Sequence, residues 1–564
     1  MSTIAKILNL PQYARNVGRL RVMITVIIRH GFGHVLERAG LMQVLRVAPG
    51  LQADKTVANK IWEVRVRLAL ESLGPTFVKL GQMLATRPDL VPMSLIYELR
   101  KLQDDVPAFA FTEVEQLITA ELGMSLAEAF AFVDPEPLAA ASIAQVHRAR
   151  LKTGEEVVIK VQRPNLDETI RTDLDLLRLV AGQLEERVPE VRQFRPLAAV
   201  EEFARNLKRE TDFGNELNNI ERFRRQFAGN EKVHVPATYP ALSTRCVLVM
   251  EFIDGAKITD LAQLEAWGLS GAAAANVGIE LVMASIFEHG FFHGDPHPGN
   301  FFVLRDGRLA VIDFGMMGAL DRDRIEDLLS FMAAILMNDP EMLVTQLLDM
   351  GIINDAVDMR GLRAEVSELM GRYYGLDLAK VDIGDFIIET FETIVRFGVF
   401  LPSDLLLIAK SISTMEGIAR EIHPDFNPMA ELRPYFIRLY VQRALDPQTY
   451  SRRAFRVLHD YWTLIQRAPS DVRGTLRRLH DGELSFEVRD PGVELQHRRV
   501  ERRTNRLIMA VCCVTTWGLF AWLLPTAEQR GLLSVVTWWT VLVGMTGLWT
   551  GALLGFSLLR SREL

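Results

Sequence analysis

The chain has 564 residues, of which 49% are hydrophobic and 24% are charged. A chain of this length exceeds what one hydrophobic core usually holds, so we expect two or more structural units. The formal net charge is −7, which excludes a general basic field for binding nucleic acid. The three cysteines, Cys246, Cys512 and Cys513, lack the spacing of a zinc site and are too few for a disulfide framework.

A short apolar segment, Val22–Ile28, lies near the N-terminus with Arg19, Arg21 and Arg29 around it. The segment is only seven residues long and no small-residue cleavage site follows it, so it does not match a secretory signal peptide. Two interpretations stay open. It is either a basic amphipathic segment on a membrane surface or an ordinary packed helix.

The middle of the chain predicts a mixed unit that is mostly helical. A β-hairpin is predicted within Ala139–Lys160, where His147–Leu151 and Val157–Val161 flank a Lys-Thr-Gly-Glu-Glu turn. Short buried strands are predicted at Val247–Phe252 and Leu309–Ile312. Apolar periodicity predicts helices over Asp167–Gln183, Val200–Phe227, Ala272–His289, Asp321–Met337 and much of residues 353–480.

Two uncharged apolar runs lie at the C-terminal end of the chain. Leu507–Leu524 would reach about 27 Å as a helix, which is near the thickness of a bilayer's hydrocarbon core. Leu532–Leu559 follows after a polar loop, so we expect a transmembrane hairpin. Arginines cluster before the first run and after the second, whereas the loop carries only Arg530 and Glu528. The positive-inside rule therefore places both ends of the hairpin, and the large soluble part, in the cytoplasm.

Within the second run, Gly547, Gly551 and Gly555 recur at every fourth residue. They form one small-residue face of a helix, which suits close helix packing in a membrane. The face predicts pairing either within the hairpin or between two chains of a homodimer.

The most informative motif is His293-Gly-Asp-Pro-His-Pro-Gly-Asn300, which is followed by Asp313-Phe-Gly315. Phosphoryl transfer from ATP needs Mg²⁺ to neutralise phosphate charge and a carboxylate near the attacking oxygen. Protein kinases supply these groups from a His-Arg-Asp-x-x-x-x-Asn loop and a later Asp-Phe-Gly. Asp295 precedes Asn300 by the same five residues. The sequence therefore predicts a site for Mg-ATP.

A nucleotide-anchoring lysine is predicted at Lys160, because Val-Val-Ile-Lys160-Val resembles the kinase strand whose lysine meets the α- and β-phosphates. Its acidic partner is expected on a nearby helix, where Glu210, Asp212 and Glu216 are candidates. Glu210 and Glu216 are six residues apart and cannot be stacked neighbours on one helix face. We expect them to serve different partners.

Four motifs together resemble the UbiB family, the atypical kinase-like proteins associated with ubiquinone (coenzyme Q) biosynthesis. They are the Lys-x-Gly-Gln motif at Lys79–Gln82, the alanine-rich loop from Ala139 to Ser142, Glu210-Thr-Asp212, and His293–Asn300. The resemblance spans roughly residues 55–430. It implies an α+β fold, protein-kinase-like and two-lobed, with an N-terminal helical extension, to which we add the C-terminal transmembrane helical hairpin.

The two apolar runs at the C-terminal end agree with the bacterial branch of this family. We therefore expect the protein in the bacterial inner membrane with its soluble domain in the cytoplasm. The expected divisions are an N-terminal helical segment, the helical extension, the kinase-like ATP-binding domain, a helical linker and two transmembrane helices, over residues 1–54, 55–130, 131–440, 441–506 and 507–560.

The resemblance also implies roles for individual residues, with ATP and Mg²⁺ as cofactors. Lys160 and Glu216 would form the anchoring ion pair, Asp295 would be the catalytic aspartate, and Asn300 and Asp313 would coordinate Mg²⁺. The histidines of the loop, His293 and His297, would only orient it. The remaining nucleotide contacts would come from the alanine-rich loop and a hinge strand, namely Ala139, Ala140, Ala141, Ser142, Met250, Glu251, Phe252 and Ile253.

The alanine-rich loop stands where ordinary kinases have a glycine-rich loop. Alanine methyl groups and the narrower φ range limit how closely the backbone approaches phosphates, so we expect an altered nucleotide pose. The resemblance implies that this loop disfavours autophosphorylation. It also implies that the extension carrying Lys79 and Gln82 folds over the site towards Glu210 and Asp212 and blocks protein substrates.

These expectations combine into a membrane-bound Mg-ATP-dependent enzyme, an ATPase or small-molecule kinase. The resemblance implies support of ubiquinone biosynthesis by acting on or presenting lipid intermediates. Two alternatives remain: a nucleotide-gated, non-catalytic scaffold of a membrane biosynthetic complex, and a true protein kinase, against which the alanine-rich loop argues. Expected partners are membrane lipids and the intermediates or enzymes of ubiquinone biosynthesis, and not nucleic acid.

Overall fold

The computed structural model describes residues 10–38, 60–87, 90–102, 106–353, 357–374, 383–397, 402–427, 434–439 and 441–442, with the single positions Thr56, Val399 and Trp462. The chain divides into two units, Met1–Asp446 and Pro447–Leu564, and the elements below belong to the first. The predicted transmembrane hairpin and its glycine face lie outside the described residues. Across the part that is described, none of the helices has the length and apolar character needed to cross a bilayer.

Both helices and strands contribute to the first unit, as the predicted α+β class requires. The described strands are β1 (Phe130–Ala140), β2 (Ala144–Leu151), β3 (Glu156–Gln162), β4 (Val233–His234), β5 (Val247–Glu251), β6 (Gly255–Lys257), β7 (Phe291–His293), β8 (Phe301–Leu304), β9 (Leu309–Val311) and β10 (Met317–Ala319). The described α-helices are α1 (Leu10–Arg29), α2 (Gly33–Arg38), α3 (Trp62–Leu73), α4 (Pro75–Leu84), α5 (Met93–Leu99), α6 (Phe111–Leu122), α7 (Leu126–Ala129), α8 (Leu166–Arg187), α9 (Pro196–Glu210), α10 (Phe213–Gln226), α11 (Leu261–Ala266), α12 (Gly271–Phe287), α13 (Arg322–Leu336), α14 (Pro340–Asp349), α15 (Met359–Tyr374), α16 (Ile383–Arg396) and α17 (Ser403–Ile422).

The first sheet is antiparallel and has the strand order β1-β2-β3-β5. The predicted β-hairpin is confirmed as β2 and β3, and the predicted strand at Val247–Phe252 is confirmed as β5. One face of this sheet buries Ile159, Val161 and Val249 against Val114 and Ile118 of α6. The alternation of apolar side chains along β3 and β5 therefore positions the sheet under a helical cover.

The second sheet has the order β4-β9-β8-β6, and β7 pairs with β10 as a separate antiparallel ribbon. The strand predicted at Leu309–Ile312 is confirmed as β9. In the helical C-terminal part, α17 lies along α12, and α13 also contacts α12. Gly278 of α12 allows this close approach, because a Cβ there would collide with the side chain of Met415.

At the N-terminal end, α1 packs against α3 and α8. Its residues Met23, Ile24 and Ile28 are buried and share an apolar cluster with Phe77 and Leu176. The apolar side of the Val22–Ile28 segment is thus covered by protein.

The single helix predicted over Val200–Phe227 is wrong, because the structure has two helices there, α9 and α10. Asp212 leaves helical geometry, with φ −103° and ψ 100°, and its side chain accepts a hydrogen bond from the Gly214 N–H. Aspartate favours this N-cap role because its side chain satisfies an amide that the first turn leaves open. The break places Glu210 and Glu216 on different helices.

A buried histidine, His147 of β2, is hydrogen-bonded to both strands β1 and β2 of the first sheet. Its Nδ1 donates to the Asp134 carbonyl at 2.8 Å, and its Nε2 accepts from the Gln145 amide at 2.9 Å. Gln145 cannot turn over freely, because it also accepts from the N–H of Phe109 and donates to that residue's carbonyl. Burial lowers the pKa of His147 below its usual value, so the ring is neutral at neutral pH.

We therefore expect the protein to lose stability as the pH falls below about 6.5, the ordinary histidine pKa. In that range the unfolded chain takes up a proton that the folded protein resists, so acid favours unfolding. Thermal melts between about pH 7.5 and pH 5.5 measure this dependence. The variant His147→Gln, which does not titrate, should melt with a shallower pH dependence than the wild type, and equal slopes would contradict the prediction.

Candidate functional site

The centre of the candidate site is an ion pair between β3 and the first turn of α10. Lys160 Nζ lies 2.8 Å and 2.9 Å from the two carboxylate oxygens of Glu216, which is buried. Asp313 Oδ2 is 4.0 Å from the same ammonium. Burial opposes the charged form of Lys160, but the carboxylates of Asp313 and Glu216 outweigh it and raise the lysine pKa above its usual value. The ammonium is therefore permanently charged.

Asp313 follows β9, and its carboxylate is presented to the site with 42% of the side chain exposed. Its Oδ1 accepts a hydrogen bond from the Gly315 N–H at 2.8 Å. Loss of solvation opposes ionisation, but Lys160 and this hydrogen bond prevail and lower the pKa of Asp313 to about 2. The group is thus an ionised carboxylate that a cation can reach.

The next residue, Phe314, fixes the Asp313–Gly315 segment against α10. It is fully buried and packs edge-on against Phe223 of α10, with 5.3 Å between ring centroids. Asn219 of the same helix donates its side-chain amide to the Phe314 carbonyl at 2.9 Å. The helix that carries Glu216 therefore also holds the backbone beside Asp313.

His293 connects the loop that carries Asp295 to the segment of Asp313. The N–H of Asp295 donates to its Nδ1 at 3.0 Å, so Nε2 carries the proton and donates to the Asp313 carbonyl at 2.6 Å. Burial lowers the pKa of His293 and keeps the ring neutral. The predicted orienting role of this imidazole thus corresponds to two hydrogen bonds to the backbone.

The loop between β7 and β8 brings Asp295 and Asn300 together. Asn300 donates its side-chain amide to the Asp295 carbonyl at 3.3 Å, and its N–H donates to the carbonyl of His297 at 2.9 Å. His297 accepts from the Gly299 N–H at 3.1 Å. The loop is thus closed by its own polar groups, with the Asp295 carboxylate 43% exposed.

Lys410, on α17, meets this carboxylate and was missed by reasoning from the sequence. Its Nζ lies 2.8 Å from Asp295 Oδ1. In the sequence, Lys410 stands out because it is the single charged residue within the stretch Leu405–Met415 of this helix. A lysine on such an apolar helix usually has a specific partner.

The alanine-rich loop connects β1 to β2. Ala139 and Ala140 end β1, and the Ala141 N–H donates to the Ala144 carbonyl at 2.8 Å to close the turn. Arg163 donates to the Ala141 carbonyl at 2.9 Å. The buried Ser142 hydroxyl has no hydrogen-bond partner among the described residues. The turn is therefore held from one side by a guanidinium.

The predicted hinge residues lie at the end of β5 and just beyond it. Met250 is buried, and the Glu251 carboxylate contacts His234 at 3.1 Å and accepts from the Ala237 N–H at 2.9 Å. Phe252 donates its N–H to the Glu156 carbonyl at 3.0 Å. The N–H of Glu251 is engaged as well, because it donates to the Ala237 carbonyl at 2.8 Å. Neither of these two amides is therefore available to a ligand.

The helical extension contributes Lys79 of α4, whose Nζ lies 2.6 Å from Glu210 Oε1 at the end of α9. Gln82 is on the same helix and is half-buried. Asp212 instead caps α10. Glu210 and Glu216 thus pair with different lysines, Lys79 and Lys160.

These residues fit Mg-ATP. Among the described residues no cluster of three or more His, Cys, Asp or Glu side chains is assembled for a metal. Mg²⁺ is commonly held by one or two protein ligands together with substrate phosphates and water, and the exposed, ionised Asp313 beside Lys160 suits such an arrangement. Asn300, from the loop between β7 and β8, offers a second oxygen ligand beside that of Asp313.

Comparison with known proteins gives the family. Residues 101–347 match the ABC1 atypical kinase-like domain, and residues 366–427 match the UbiB helical domain. A Cellvibrio japonicus protein named "Probable protein kinase UbiB" is 33% identical over 465 residues, which are 81% of this chain and 84% of that protein. A protein of the same name from Pseudomonas putida W619 is 34% identical over 503 residues, 88% of this chain and 92% of that protein.

Among solved structures, the complex of Rv3197 with erythromycin from Mycobacterium tuberculosis is 22% identical to this chain, with a TM-score of 0.42, covering 62% of this chain and 92% of that one. The family matches confirm the predicted kinase-like fold of mixed α and β structure. This chain belongs to the UbiB family of atypical kinase-like proteins.

Proposed function

We propose that this protein binds Mg-ATP and hydrolyses it, as a membrane-bound ATPase that supports ubiquinone biosynthesis by acting on or presenting lipid intermediates. The observation that carries the proposal is the ion pair of Lys160 with the buried Glu216, beside the exposed, ionised carboxylate of Asp313. Ammonium and carboxylate groups at this separation can hold phosphate oxygens and a metal ion at the same time.

In this proposal Lys160 binds the α- and β-phosphates and Glu216 holds it in place. Asn300 and Asp313 would hold Mg²⁺, and the metal would supply positive charge that neutralises the phosphate oxygens. Asp295 orients the attacking water and accepts its proton, while the γ-phosphorus–oxygen bond to ADP breaks and inorganic phosphate leaves. The nucleotide rests under Ala139, Ala140, Ala141 and Ser142 and against Met250, Glu251, Phe252 and Ile253.

In this proposal the helical extension is a lid over the site. The lid residues are Lys79 and Gln82 of the extension, with Glu210 and Asp212 opposite them. The contact between Lys79 and Glu210 supports this role, since it fastens the helical extension to α9. A fastened extension restricts access by a folded protein substrate, so it favours a small molecule or water as phosphoryl acceptor over serine or threonine of another protein.

We place the protein in the bacterial inner membrane with its soluble domain in the cytoplasm. The uncharged runs Leu507–Leu524 and Leu532–Leu559 support this location, as do the arginines outside them. Gly547, Gly551 and Gly555 would pair two chains into a homodimer. The proposed partners are membrane lipids and intermediates or enzymes of ubiquinone biosynthesis.

Measured ATPase activity of the purified full-length chain tests this proposal. We expect Mg²⁺-dependent hydrolysis that rises when vesicles containing anionic lipid are added, and a loss of about 10²-fold or more in Asp313→Asn. Tight Mg-ATP binding without turnover under all these conditions would favour the non-catalytic scaffold. A wild-type protein that binds no Mg-ATP would rule out both functions.

The alanine-rich loop gives a separate prediction. If its methyl groups limit the approach of backbone to phosphate, then Ala140→Gly should bind Mg-ATP more tightly or phosphorylate itself more readily than the wild type. Calorimetry measures the affinity for Mg-ATP, and transfer of label from radiolabelled ATP measures self-phosphorylation. Ala131→Gly, an exposed alanine on the same strand, is the matched control, and equal behaviour of both variants would refute the interpretation.

A further inference from the structure

One face of α17 is packed directly against the catalytic loop. Leu407 covers Gly294, where an added Cβ would meet the leucine side chain at 2.7 Å. Lys410 pairs with Asp295 at 2.8 Å, and Ser411 donates its hydroxyl to the His293 carbonyl at 2.9 Å. Positions three and four apart share a helix face, so these contacts form one continuous interface.

The lysine in this interface is not explained by stability. Lys410 and Asp295 are 27% and 43% exposed, and an ion pair as accessible as this contributes little to folding stability. An apolar residue at this position would continue the uncharged stretch of α17 on either side. The position of the ammonium is therefore better explained by a ligand.

The surrounding charges identify the kind of ligand. Between Asp295 and Asn300 the loop contains no lysine or arginine, while Lys160 is engaged by Glu216 and faces Asp313. An ammonium has three N–H donors, so Lys410 can hold Asp295 with one and still donate to a second anion. In a phosphoryl-transfer site the anion beside the catalytic carboxylate is the phosphoryl group that is transferred.

We propose that Lys410 binds the γ-phosphate of Mg-ATP and holds the Asp295 carboxylate beside it. The ammonium offsets the repulsion between that carboxylate and the phosphate oxygens. It also stabilises the charge that spreads over these oxygens as the bond to ADP breaks and the water oxygen bonds to phosphorus. Because Lys410 lies within residues 366–427, the UbiB helical domain supplies a site residue to the kinase-like domain.

This inference rests on the proposed Mg-ATP binding. Different experimental outcomes would contradict the role of Lys410 and the proposed function. Binding of Mg-ADP and of a non-hydrolysable Mg-ATP analogue is measured by calorimetry on the full-length wild type, Lys410→Met and Lys410→Arg. We expect Lys410→Met to weaken the ATP analogue about 10- to 100-fold and to bind Mg-ADP within about twofold of the wild type. Lys410→Arg should recover part of the loss, and Lys232→Met, which removes an exposed lysine paired with Glu280, should change neither affinity.

Equal weakening of both nucleotides, or no weakening of either, would overturn the assignment of Lys410 while leaving the proposed function intact. If hydrolysis is absent but the difference between the two nucleotides depends on Lys410, the inference survives and the ATPase proposal fails. A wild type that binds neither nucleotide ends both. Melting temperatures of all variants identify a loss that is due to unfolding.

Discussion

Replacing Glu216 by glutamine is expected to lower kcat/KM for Mg-ATP by about 10²-fold or more. The variant keeps the size of the side chain but removes the negative charge that holds Lys160 at 2.8 Å. Asp313 is a second carboxylate near that ammonium, 4.0 Å away. Lys160 would then move towards Asp313 and compete with Mg²⁺ for its carboxylate, so the Mg²⁺ concentration needed for half-maximal activity should rise.

Steady-state hydrolysis at several Mg²⁺ concentrations measures this effect. Glu221→Gln is the matched control, because Glu221 lies on the same helix and pairs with Arg224 near the surface. An unchanged Mg²⁺ requirement in Glu216→Gln, together with wild-type turnover, would show that the ion pair does not organise the metal site.

The largest effect on stability is expected for Arg19→Ala. Arg19 of α1 donates to both carboxylate oxygens of Asp173, at 2.6 Å and 3.0 Å, and to the Leu73 carbonyl at 2.6 Å. Asp173 is only 1% exposed, so removal of the guanidinium leaves a buried carboxylate without its partner. Breaking such a pair costs up to about 3–5 kcal/mol. Because Arg19 itself is 26% exposed, we expect a value near or below about 3 kcal/mol.

Chemical denaturation measures this loss, and hydrogen exchange over α1 reports whether the helix detaches. Arg21→Ala, at an exposed position of the same helix, should be nearly neutral. The double variant Arg19→Leu with Asp173→Leu should recover most of the stability, since two apolar residues avoid the unpaired charge. If Arg19→Ala were as stable as Arg21→Ala, the ion pair would not be what holds α1.

Local patterns predicted four of the ten described strands, namely β2, β3, β5 and β9. Apolar residues around the Lys-Thr-Gly-Glu-Glu turn identify β2 and β3, because alternation and turn composition are properties of neighbouring residues. The kinase spacing likewise brought Lys160, Asp295, Asn300 and Asp313 into one hypothesis, and the structure gathers Lys160 and Asp313 to within 4.0 Å. Each of these motifs is a short stretch of chain, and the resemblance to kinases implied that the motifs meet.

The features that reasoning from the sequence missed depend on tertiary contacts. Periodicity continues from Val200 to Phe227, so it does not reveal that Asp212 turns to cap a new helix. Lys410 lies 115 residues after Asp295, and no spacing rule connects two such distant positions. The engaged amide of Phe252 is also invisible in a strand pattern, because its acceptor, Glu156, belongs to another strand.

The break between α9 and α10 has a mechanical consequence. Glu210 is bonded to Lys79 of the extension and Glu216 to Lys160 of the sheet, and only five residues of chain separate the two acids. A movement of the extension that kept the Lys79–Glu210 ion pair intact would be transmitted along the chain. It would pass through Thr211 and the Asp212 cap into the first turn of α10. A displacement of the extension would thereby shift Glu216 and with it the ion pair to Lys160.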